Sequence, residues 1–357
     1  MPRILYRADG GHPVGMGHIQ RALRVSAWWN QSAPSVRVLL VAAEDAAVCR
    51  LISEAAPANL TARYLGVPGQ SAVPRVESAP IAEVAAEFAP DIVVIDMLDT
   101  AEVEMRRLRE ISPTLVSLDD RGEGRLYSDL IVNFLVRDPD PSALDRDRTW
   151  LREGPEYASL ASEFVGVARG RREPAMARRA LVSTGGADAA GLVVKVAVDL
   201  LSVKGLADVD FAVGPAFRKM AELESVTSGA PWRANVHVSL PSLLPLYATA
   251  DLAIVAGGIT MHEAACCGTP AIAVCQSIDH QVMVAGWLQE AGCMLNLGYG
   301  EKLAAGEIAM AVASLIADQP RRQSMSDAGP RVCDGRGSER TAEAILARWN
   351  PQQGAGG

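Results

Sequence analysis

The residues best suited to chemistry lie in three glycine-rich segments, each of which follows a short apolar run. The first segment, Arg7–Arg21 (RADGGHPVGMGHIQR), has four glycines within eight residues, which predicts an open loop. His18 follows Gly17 in the first turn of a predicted helix. There the helix dipole disfavours an imidazolium ion by about 0.3–1 kcal/mol, so a neutral ring that accepts a proton is favoured. A helix-capping or packing histidine fits this position equally well.

The third segment, Ala256–Ile272 (AGGITMHEAACCGTPAI), has the most specific pattern. A strand runs into Gly257 and Gly258, a helix is predicted to start at Thr260, and Gly-Thr-Pro ends that helix before the next strand. The helix N-terminus and the Thr260 hydroxyl are suited to holding a diphosphate. Glu263 in the first turn is suited to accepting two hydrogen bonds from ribose hydroxyls. The alternative is that Glu263 contacts only solvent, since a glutamate in the first turn also interacts favourably with the helix dipole.

The second segment, Ser183–Asp188 (STGGAD), again leads from a strand to a helix. Gly185 and Gly186 would let phosphate oxygens approach backbone N–H groups. A Gly-Gly turn with Asp188 near the helix N-cap explains the same residues equally well.

Other polar residues stand at predicted strand ends, where doubly wound sheets bind ligands. Asp96, Asp119 and Asp120 are placed to face a sugar, and capping of a turn by Asp120 remains an alternative. His237 lies within a strand and is interpreted as structural, and His262 lies roughly 100° around the helix from Glu263, facing elsewhere. The sequence contains no nucleophile elbow and no Walker A loop.

These segments are positioned by alternating strands and helices, the pattern of a parallel sheet. The alternation predicts two doubly wound α/β domains that face each other, at residues 1–165 and 177–335, joined by a linker within Phe164–Met176. A final helix within residues 336–350 could pack on either domain. The predicted strands are Ile4–Tyr6, Val36–Val41, Ile92–Ile95, Leu115–Leu118, Leu130–Val132, Ala180–Thr184, Val209–Val213, Val236–Val238, Leu252–Val255 and Ala271–Val274.

Composition excludes several classes of function. The formal charge is 34 − 42 = −8 with a pI of about 5.3, which argues against binding to nucleic acid or to anionic lipid. No apolar run reaches the roughly 18 residues that a membrane span needs. The six cysteines show no metal-ligand or disulfide spacing, so we expect reduced thiols, no metal, no cofactor and a cytoplasmic protein.

Five segments together resemble one family over nearly the whole chain: Gly15–Arg21 (GMGHIQR), Leu118–Asp120 (LDD), Glu156–Phe164 (EYASLASEF), Ser183–Asp188 and Ala256–Ile272. They are similar to the UDP-sugar hydrolase of pseudaminic acid biosynthesis and to the spore-coat polysaccharide proteins related to it, within the GT-B glycosyltransferase superfamily. The resemblance implies a GT-B fold, with two Rossmann-like domains facing across a cleft.

The resemblance also implies a substrate, UDP-2,4-diacetamido-2,4,6-trideoxy-β-L-altropyranose, which is split to UDP and free sugar. It places the catalytic histidine at His18, the diphosphate site at Gly257, Gly258 and Thr260, and the ribose contact at Glu263. This chain departs from the family pattern at Ile259 and Met16, where Ser and Thr are common. The full set predicted to bind substrate is Arg7, Asp9, Gly15, Gly17, Arg21, Asp96, Gly185, Gly186, Gly257, Gly258, Thr260, Glu263 and Gln281.

The leading hypothesis from the sequence is inverting hydrolysis, in which His18 accepts a proton from the water that attacks the anomeric carbon. The alternative is a GT-B glycosyltransferase that moves the sugar to an acceptor hydroxyl. A hydrolysing 2-epimerase and a noncatalytic nucleotide-sugar sensor also stay open. The oligomeric state is left open.

Overall fold

Short runs of Val, Ile, Leu and Ala form a parallel sheet in the first part of the chain. The computed structural model describes residues 1–11, 15–66, 78–167, 172–185, 188, 190–276 and 278–349. The seven strands pair in the order β3-β2-β1-β4-β5-β6-β7. They are β1 (Arg3–Ala8), β2 (Arg37–Ala43), β3 (Leu60–Leu65), β4 (Ile92–Asp96), β5 (Thr114–Leu118), β6 (Leu130–Asn133) and β7 (Trp150–Glu153).

Helices cover both faces of this sheet because successive strand residues point to opposite sides. Ile4 and Tyr6 pack with Ile19 on one face, whereas Leu5 packs with Ile81 on the other. The helices are α1 (Gly17–Ser32), α2 (Ala46–Ala55), α3 (Ser78–Phe88) and α4 (Glu102–Ile111). The strand order reverses between β1 and β4, which makes that point the expected ligand-binding edge.

A second parallel sheet has six strands in the order β10-β9-β8-β11-β12-β13. The strands are β8 (Arg179–Ser183), β9 (Asp208–Val213), β10 (Arg233–Val238), β11 (Leu252–Val255), β12 (Ala271–Cys275) and β13 (Met294–Tyr299). The helices are α5 (Leu192–Leu200), α6 (Met220–Thr227), α7 (Leu244–Thr249), α8 (Ile259–Cys266), α9 (Asp279–Glu290), α10 (Glu307–Ala317) and α11 (Gln319–Val332). Here the order reverses between β8 and β11. The predicted architecture of two doubly wound sheets is confirmed.

The chain forms two compact units. The first unit contains Met1–Ser159 and the stretch from Arg336 onward, and the second unit contains Leu160–Gly335. The described part of Phe164–Met176, the segment predicted as a linker, therefore falls within the second unit. None of the helices in the described part of the chain has the length and apolarity required to cross a membrane.

The last helix, α12 (Gly337–Arg348), belongs to the first unit. The sequence had not indicated on which of the two domains this helix packs. The indole N–H of Trp29 on α1 donates to the carbonyl oxygen of Ala342 at 3.2 Å, and Ile345 joins the same core. At Gly337 a Cβ atom would lie 2.1 Å from the carbonyl oxygen of Ala158. The helix can approach that backbone because residue 337 has no side chain.

We predict that Gly337→Ala destabilises the first unit by about 1–3 kcal/mol, because the methyl group must displace backbone atoms. The matched control is Gly286→Ala in α9, where a Cβ meets nothing within 4 Å, so stability is unchanged or rises by about 0.5–1 kcal/mol. Urea unfolding measures both changes, with hydrogen exchange followed across α1 and α12 for Gly337→Ala and across α9 for Gly286→Ala. Equal stability of the two variants would contradict the close approach at Gly337.

Candidate functional site

His18 is paired with a buried carboxylate at the point where the order of the first sheet reverses. Because β4 neighbours β1, its last residue, Asp96, lies opposite the first turn of α1. The Nδ1 atom of His18 lies 2.5 Å from Oδ1 of Asp96. A carboxylate can only accept, so Nδ1 carries the proton in this contact and Nε2 is left as the basic nitrogen. This is the orientation that a general base requires.

Asp96 is held from three directions, and its side chain is fully buried. The Tyr6 hydroxyl donates to Oδ2 at 2.8 Å, Nε of Arg21 donates to Oδ2 at 2.7 Å, and a second guanidinium nitrogen contacts Oδ1. Burial by itself raises the pKa of Asp96, but Arg21 and His18 outweigh it and hold the pKa at about 2. Asp96 orients His18 through these contacts. Its predicted contact with substrate stays a prediction.

Arg21 was also predicted to bind substrate, but it joins two buried acids. One end of its guanidinium contacts Asp96 and the other contacts Asp119. Burial lowers the pKa of Arg21, but these two carboxylates outweigh it and raise the pKa well above its usual value. Asp119 also accepts the N–H groups of Phe134 and Leu135, each at 2.7 Å. These contacts hold Asp119 at a φ of +52°, which is uncommon outside glycine.

Arg7 and Asp9, two further residues of the predicted substrate set, form a buried ion pair with each other. The guanidinium of Arg7 donates to the two oxygens of Asp9 at 2.5 and 2.6 Å. Asp9 also accepts the N–H of Ala43 at 2.8 Å, at the end of β2. The pair therefore shapes the loop after β1, and its predicted contact with substrate stays a prediction.

Gly15 and Gly17 leave the space before α1 open. Gly15 exchanges two backbone hydrogen bonds with Gly11, at 3.1 and 2.7 Å, and His12–Val14 lie outside the described residues. The φ of Gly15 is +84°, and a Cβ at either Gly15 or Gly17 would meet nothing within 4 Å. Their role in substrate binding stays a prediction that this openness supports.

Asp120 caps a turn, the alternative that the sequence left open. Its carboxylate accepts the N–H of Thr100 at 3.1 Å, the Thr100 hydroxyl at 2.5 Å and the N–H of Gly122 at 2.9 Å. Burial raises the pKa of Asp120 to about 6, although these hydrogen bonds lower it in part. The side chain is fully buried, so it does not face an open sugar site.

In the second unit, Gly257 and Gly258 join β11 to α8 and are required for different reasons. A Cβ at Gly257 would lie 1.9 Å from Cγ of Gln281, so this glycine makes room for a neighbouring side chain. Gly258 has a φ of +77°, and a Cβ there would meet nothing within 4 Å. The backbone at Gly258 and the first turn of α8 is thus accessible to an anion.

Gln281 was predicted to contact substrate, but its side-chain oxygen ties two loops together. This oxygen accepts the N–H of Gly257 at 3.2 Å and the N–H of Gln276 at 2.9 Å. The side-chain amide of Gln276 in turn donates to the carbonyl oxygen of Thr184 at 2.7 Å. The loops after β8, β11 and β12 are connected in this way. Gln276 was not anticipated, although its position directly after a buried strand was an available signal.

The hydroxyl of Thr260 was predicted to hold a diphosphate, but it donates to the carbonyl oxygen of Ala256 at 2.6 Å. Its proton is therefore used within the turn, and the backbone N–H groups of α8 remain as the donors for an anion.

Glu263 is half-buried on the same helix, α8. Burial raises the pKa of Tyr247 well above its usual value, and the charge of Glu263 adds to this effect. The predicted ribose contact stays a prediction.

Asp188 acts as a helix cap in the second glycine-rich segment. It accepts the Thr184 hydroxyl at 2.9 Å and the N–H groups of Leu192 and Val193 at 2.8 and 3.1 Å. Gly185 is half-exposed with a φ of +96°, whereas Gly186 lies outside the described residues. Capping therefore accounts for Asp188, and the phosphate role of the two glycines stays a prediction.

The two remaining candidate histidines have partners within the second unit. His262 is fully buried, with Nδ1 3.4 Å from the carbonyl oxygen of Gly258, and Nε2 of His237 lies 2.9 Å from Asp210. Across the described ranges, no group of three or more His, Cys, Asp or Glu side chains is arranged to hold a metal ion.

Comparison with solved structures places the chain in the GT-B fold. The chain is similar to MurG of Acinetobacter baumannii, with a TM-score of 0.69 and 14% identity over 97% of this chain and 100% of MurG. It is similar to the spinosyn rhamnosyltransferase SpnG complexed with thymidine diphosphate (TM-score 0.62, 15% identity, 98% and 100% covered). It is also similar to MnaA of S. aureus in a co-structure with UDP (TM-score 0.64, 12% identity, 97% and 96% covered).

Among proteins compared by sequence, the chain is similar to the spore coat polysaccharide biosynthesis protein SpsG of Bacillus subtilis (strain 168). The two are 26% identical over 260 residues, which cover 72% of this chain and 76% of SpsG. No protein-family profile matches the chain. The predicted similarity to spore-coat polysaccharide proteins and the predicted GT-B fold are thus confirmed, whereas membership of the GT-B superfamily and the UDP-sugar hydrolase specificity stay predictions.

We predict that Asp120 makes stability fall as the pH rises. Its pKa is 3.8 in an ordinary environment and about 6 in the folded protein, so the folded state binds this proton more tightly. The resulting stability is fully present below about pH 4 and is lost as the pH rises through 6, by about 3 kcal/mol in total. Asp120→Asn mimics the protonated acid, because its amide can donate to the Thr100 hydroxyl.

The free energy of unfolding of Asp120→Asn should therefore equal that of the wild type near pH 4 and exceed it near pH 7.5. Urea unfolding across this range measures the difference. Asp147→Asn is the control, since it makes the same change at an exposed acid. A difference between Asp120→Asn and the wild type that does not vary with pH would refute the assignment.

Proposed function

We propose that this protein cleaves the bond between sugar and diphosphate in a nucleotide-sugar and passes the sugar to an oxygen nucleophile, with His18 as the general base. The observation that carries this proposal is the contact between His18 and Asp96. It fixes the proton on Nδ1 and leaves Nε2 basic, beside the open backbone of Gly15 and Gly17.

The nucleotide end of the substrate is assigned to the second unit. Gly258 and the first turn of α8 offer backbone N–H groups at the end of a strand, which suits a diphosphate. Two proteins with the same fold support this assignment, since SpnG was solved with thymidine diphosphate and MnaA with UDP. We propose a uridine nucleotide, with Glu263 as the ribose contact.

In the proposed reaction, Nε2 of His18 accepts the proton of the attacking hydroxyl as its oxygen bonds to the anomeric carbon. The bond from that carbon to the diphosphate breaks, and its electron pair leaves with the diphosphate, so the configuration inverts. A positioned general base contributes about 10²–10⁴-fold to the rate. Asp96 keeps the ring oriented and stabilises the imidazolium that forms.

Transfer to an acceptor hydroxyl is the better-supported form of this reaction. SpnG is a rhamnosyltransferase, and SpsG is a polysaccharide biosynthesis protein. Hydrolysis of UDP-2,4-diacetamido-2,4,6-trideoxy-β-L-altropyranose, the leading hypothesis from the sequence, is the second candidate. It is supported by the segments Gly15–Arg21 and Glu156–Phe164, which resemble the hydrolase branch.

The purified protein should be incubated with a panel of UDP-sugars, with and without sugar acceptors, and the products identified by NMR. Steady release of free sugar without an acceptor would favour hydrolysis. Negligible release that an acceptor restores would favour transfer. Binding of the panel without any product would overturn both reactions and favour a sensor.

We predict that His18→Asn retains UDP binding but lowers kcat by about 10²–10⁴-fold, because asparagine cannot accept the proton. His237→Asn is the matched control: it removes the same ring from another histidine–aspartate pair, outside the proposed machinery, and should keep wild-type turnover. Calorimetry measures binding, and product formation measures kcat. Full turnover by His18→Asn would reject the base assignment while leaving nucleotide binding intact.

A further inference from the structure

Asp119 is a buried acid that stands next to Asp96 at the carboxyl end of the first sheet. Strand β5 ends at Leu118, which is paired with Asp96 of β4, so Asp119 is the next residue beyond that pair. Its side chain is fully buried, and the reaction proposed above gives it no role. Because a buried carboxylate is costly unless it is paired, its contacts indicate what it does.

Asp119 reaches the pair of His18 and Asp96 through the guanidinium of Arg21. Nε of Arg21 donates to Oδ2 of Asp96 at 2.7 Å, and Nη2 donates to Oδ1 of the same carboxylate. The remaining nitrogen, Nη1, donates to Oδ2 of Asp119. All three nitrogens of this planar group are therefore engaged, which fixes its orientation.

The oxygen that orients His18 is shared with Arg21. Oδ1 of Asp96 accepts from Nδ1 of His18 at 2.5 Å and also from Nη2 of Arg21, and these two nitrogens lie 3.3 Å apart. The ring and the guanidinium thus compete for one acceptor. The share that the ring keeps depends on how Arg21 is held, because a guanidinium that turns further toward Asp96 displaces the ring.

Asp119 is itself fixed by the loop after β6. Its Oδ1 accepts the N–H groups of Phe134 and Leu135, each at 2.7 Å, which leaves Oδ2 for the guanidinium of Arg21. The φ of +52° at Asp119 is strained for a residue with a side chain, and such strain occurs mainly at functional sites. The centroid of the Phe134 ring lies 5.0 Å from Cζ of Arg21, so this ring supports the guanidinium from its face.

We propose, on the basis of the function proposed above, that Asp119 is a positioning residue for the general base: through Arg21, it leaves Oδ1 of Asp96 to the His18 ring. Without this carboxylate, Nη1 of Arg21 loses its acceptor, and the guanidinium turns to donate to Asp96 alone. The ring then loses the contact that keeps its proton on Nδ1. A neutral ring that carries its proton on Nε2 has no lone pair there to accept the proton of the attacking hydroxyl.

The test is Asp119→Asn, whose side-chain oxygen still accepts the N–H groups of Phe134 and Leu135 but whose side-chain nitrogen cannot accept from Arg21. NMR of protein with ¹⁵N-labelled histidine, at about pH 9 where ordinary histidine is neutral, reports which ring nitrogen carries the proton. The His18 signals are assigned by their absence in His18→Asn. The wild type should show the proton on Nδ1, and Asp119→Asn should show a mixture of the two forms.

Turnover of a UDP-sugar gives the second measurement. Asp119→Asn should lower kcat about tenfold, because residues of one hydrogen-bond network are coupled. The KM and the Kd for UDP should stay at their wild-type values, since the nucleotide end is assigned to the second unit. Asp138→Asn is the matched control, because Asp138 is also a buried acid paired with a buried arginine, Arg125, at 2.9 Å. It lies outside the contacts of His18 and should keep the wild-type tautomer and kcat.

Arg21→Lys tests whether Asp119 acts through Arg21. A lysine has a single ammonium group and cannot bridge both acids as the planar guanidinium does. This variant should shift the His18 tautomer in the same direction, and adding Asp119→Asn to it should cause no further change in tautomer or kcat. An unchanged tautomer in Arg21→Lys would overturn the inference, even where Asp119→Asn does not fold.

The inference and the proposed function can fail separately. Wild-type tautomer and kcat in Asp119→Asn would overturn the inference while the proposed reaction stands. An equal loss of kcat in Asp119→Asn and Asp138→Asn, with the tautomer unchanged, would also overturn it, because it would indicate a structural effect. A tautomer that depends on Asp119, in a protein that turns over no UDP-sugar, would uphold the positioning contact and reject the reaction. A wild-type His18 with its proton on Nε2 would reject both.

Discussion

The first unit depends on the charge of Asp96, a carboxylate with no access to solvent. An uncompensated buried charge costs several kcal/mol, so such a side chain must find donors within the fold. Tyr6 comes from β1 and both His18 and Arg21 come from α1, so satisfying Asp96 fixes the start of α1 against β1 and β4. The orientation of the His18 ring follows from this requirement, because the ring is one of the donors that the carboxylate needs.

In the second unit, neutral side chains position the loops after β11 and β12. There a neutral amide oxygen on Gln281 accepts two backbone N–H groups, and a second amide on Gln276 extends the connection to Thr184. A neutral amide suits the proposed diphosphate site, because it adds no negative charge beside the anion. Gly257 is the residue that permits this arrangement, since any side chain there would overlap Gln281.

The sequence predicted the central strands well and the edge strands poorly, for a physical reason. Central strands such as Ile92–Asp96 are buried on both faces and therefore read as continuous apolar runs. The three missed strands, β3, β7 and β13, are edges of their sheets. Most of their residues are exposed or half-buried, so they do not form continuous apolar runs. Helices α10 and α11 were also missed.

At the site, the glycine spacing located the loops, but not what each polar side chain does there. Arg7, Arg21 and Asp96 are the residue types expected at a sugar site, yet their partners come from distant parts of the chain or from the turn itself. Asp96 and Arg21, for example, are 75 residues apart. Such pairings depend on strand order, which no local pattern encodes.

The charges of the two units suit opposite halves of the proposed reaction. Around His18 the fixed charges are two carboxylates, Asp96 and Asp119, against the one guanidinium of Arg21, which leaves a net negative charge while the ring is neutral. In the proposed reaction, the proton that His18 accepts brings the net charge of these four side chains to zero. Around Gly258 the backbone N–H groups at the N-terminus of α8 supply positive potential, which suits the diphosphate that the proposed reaction releases.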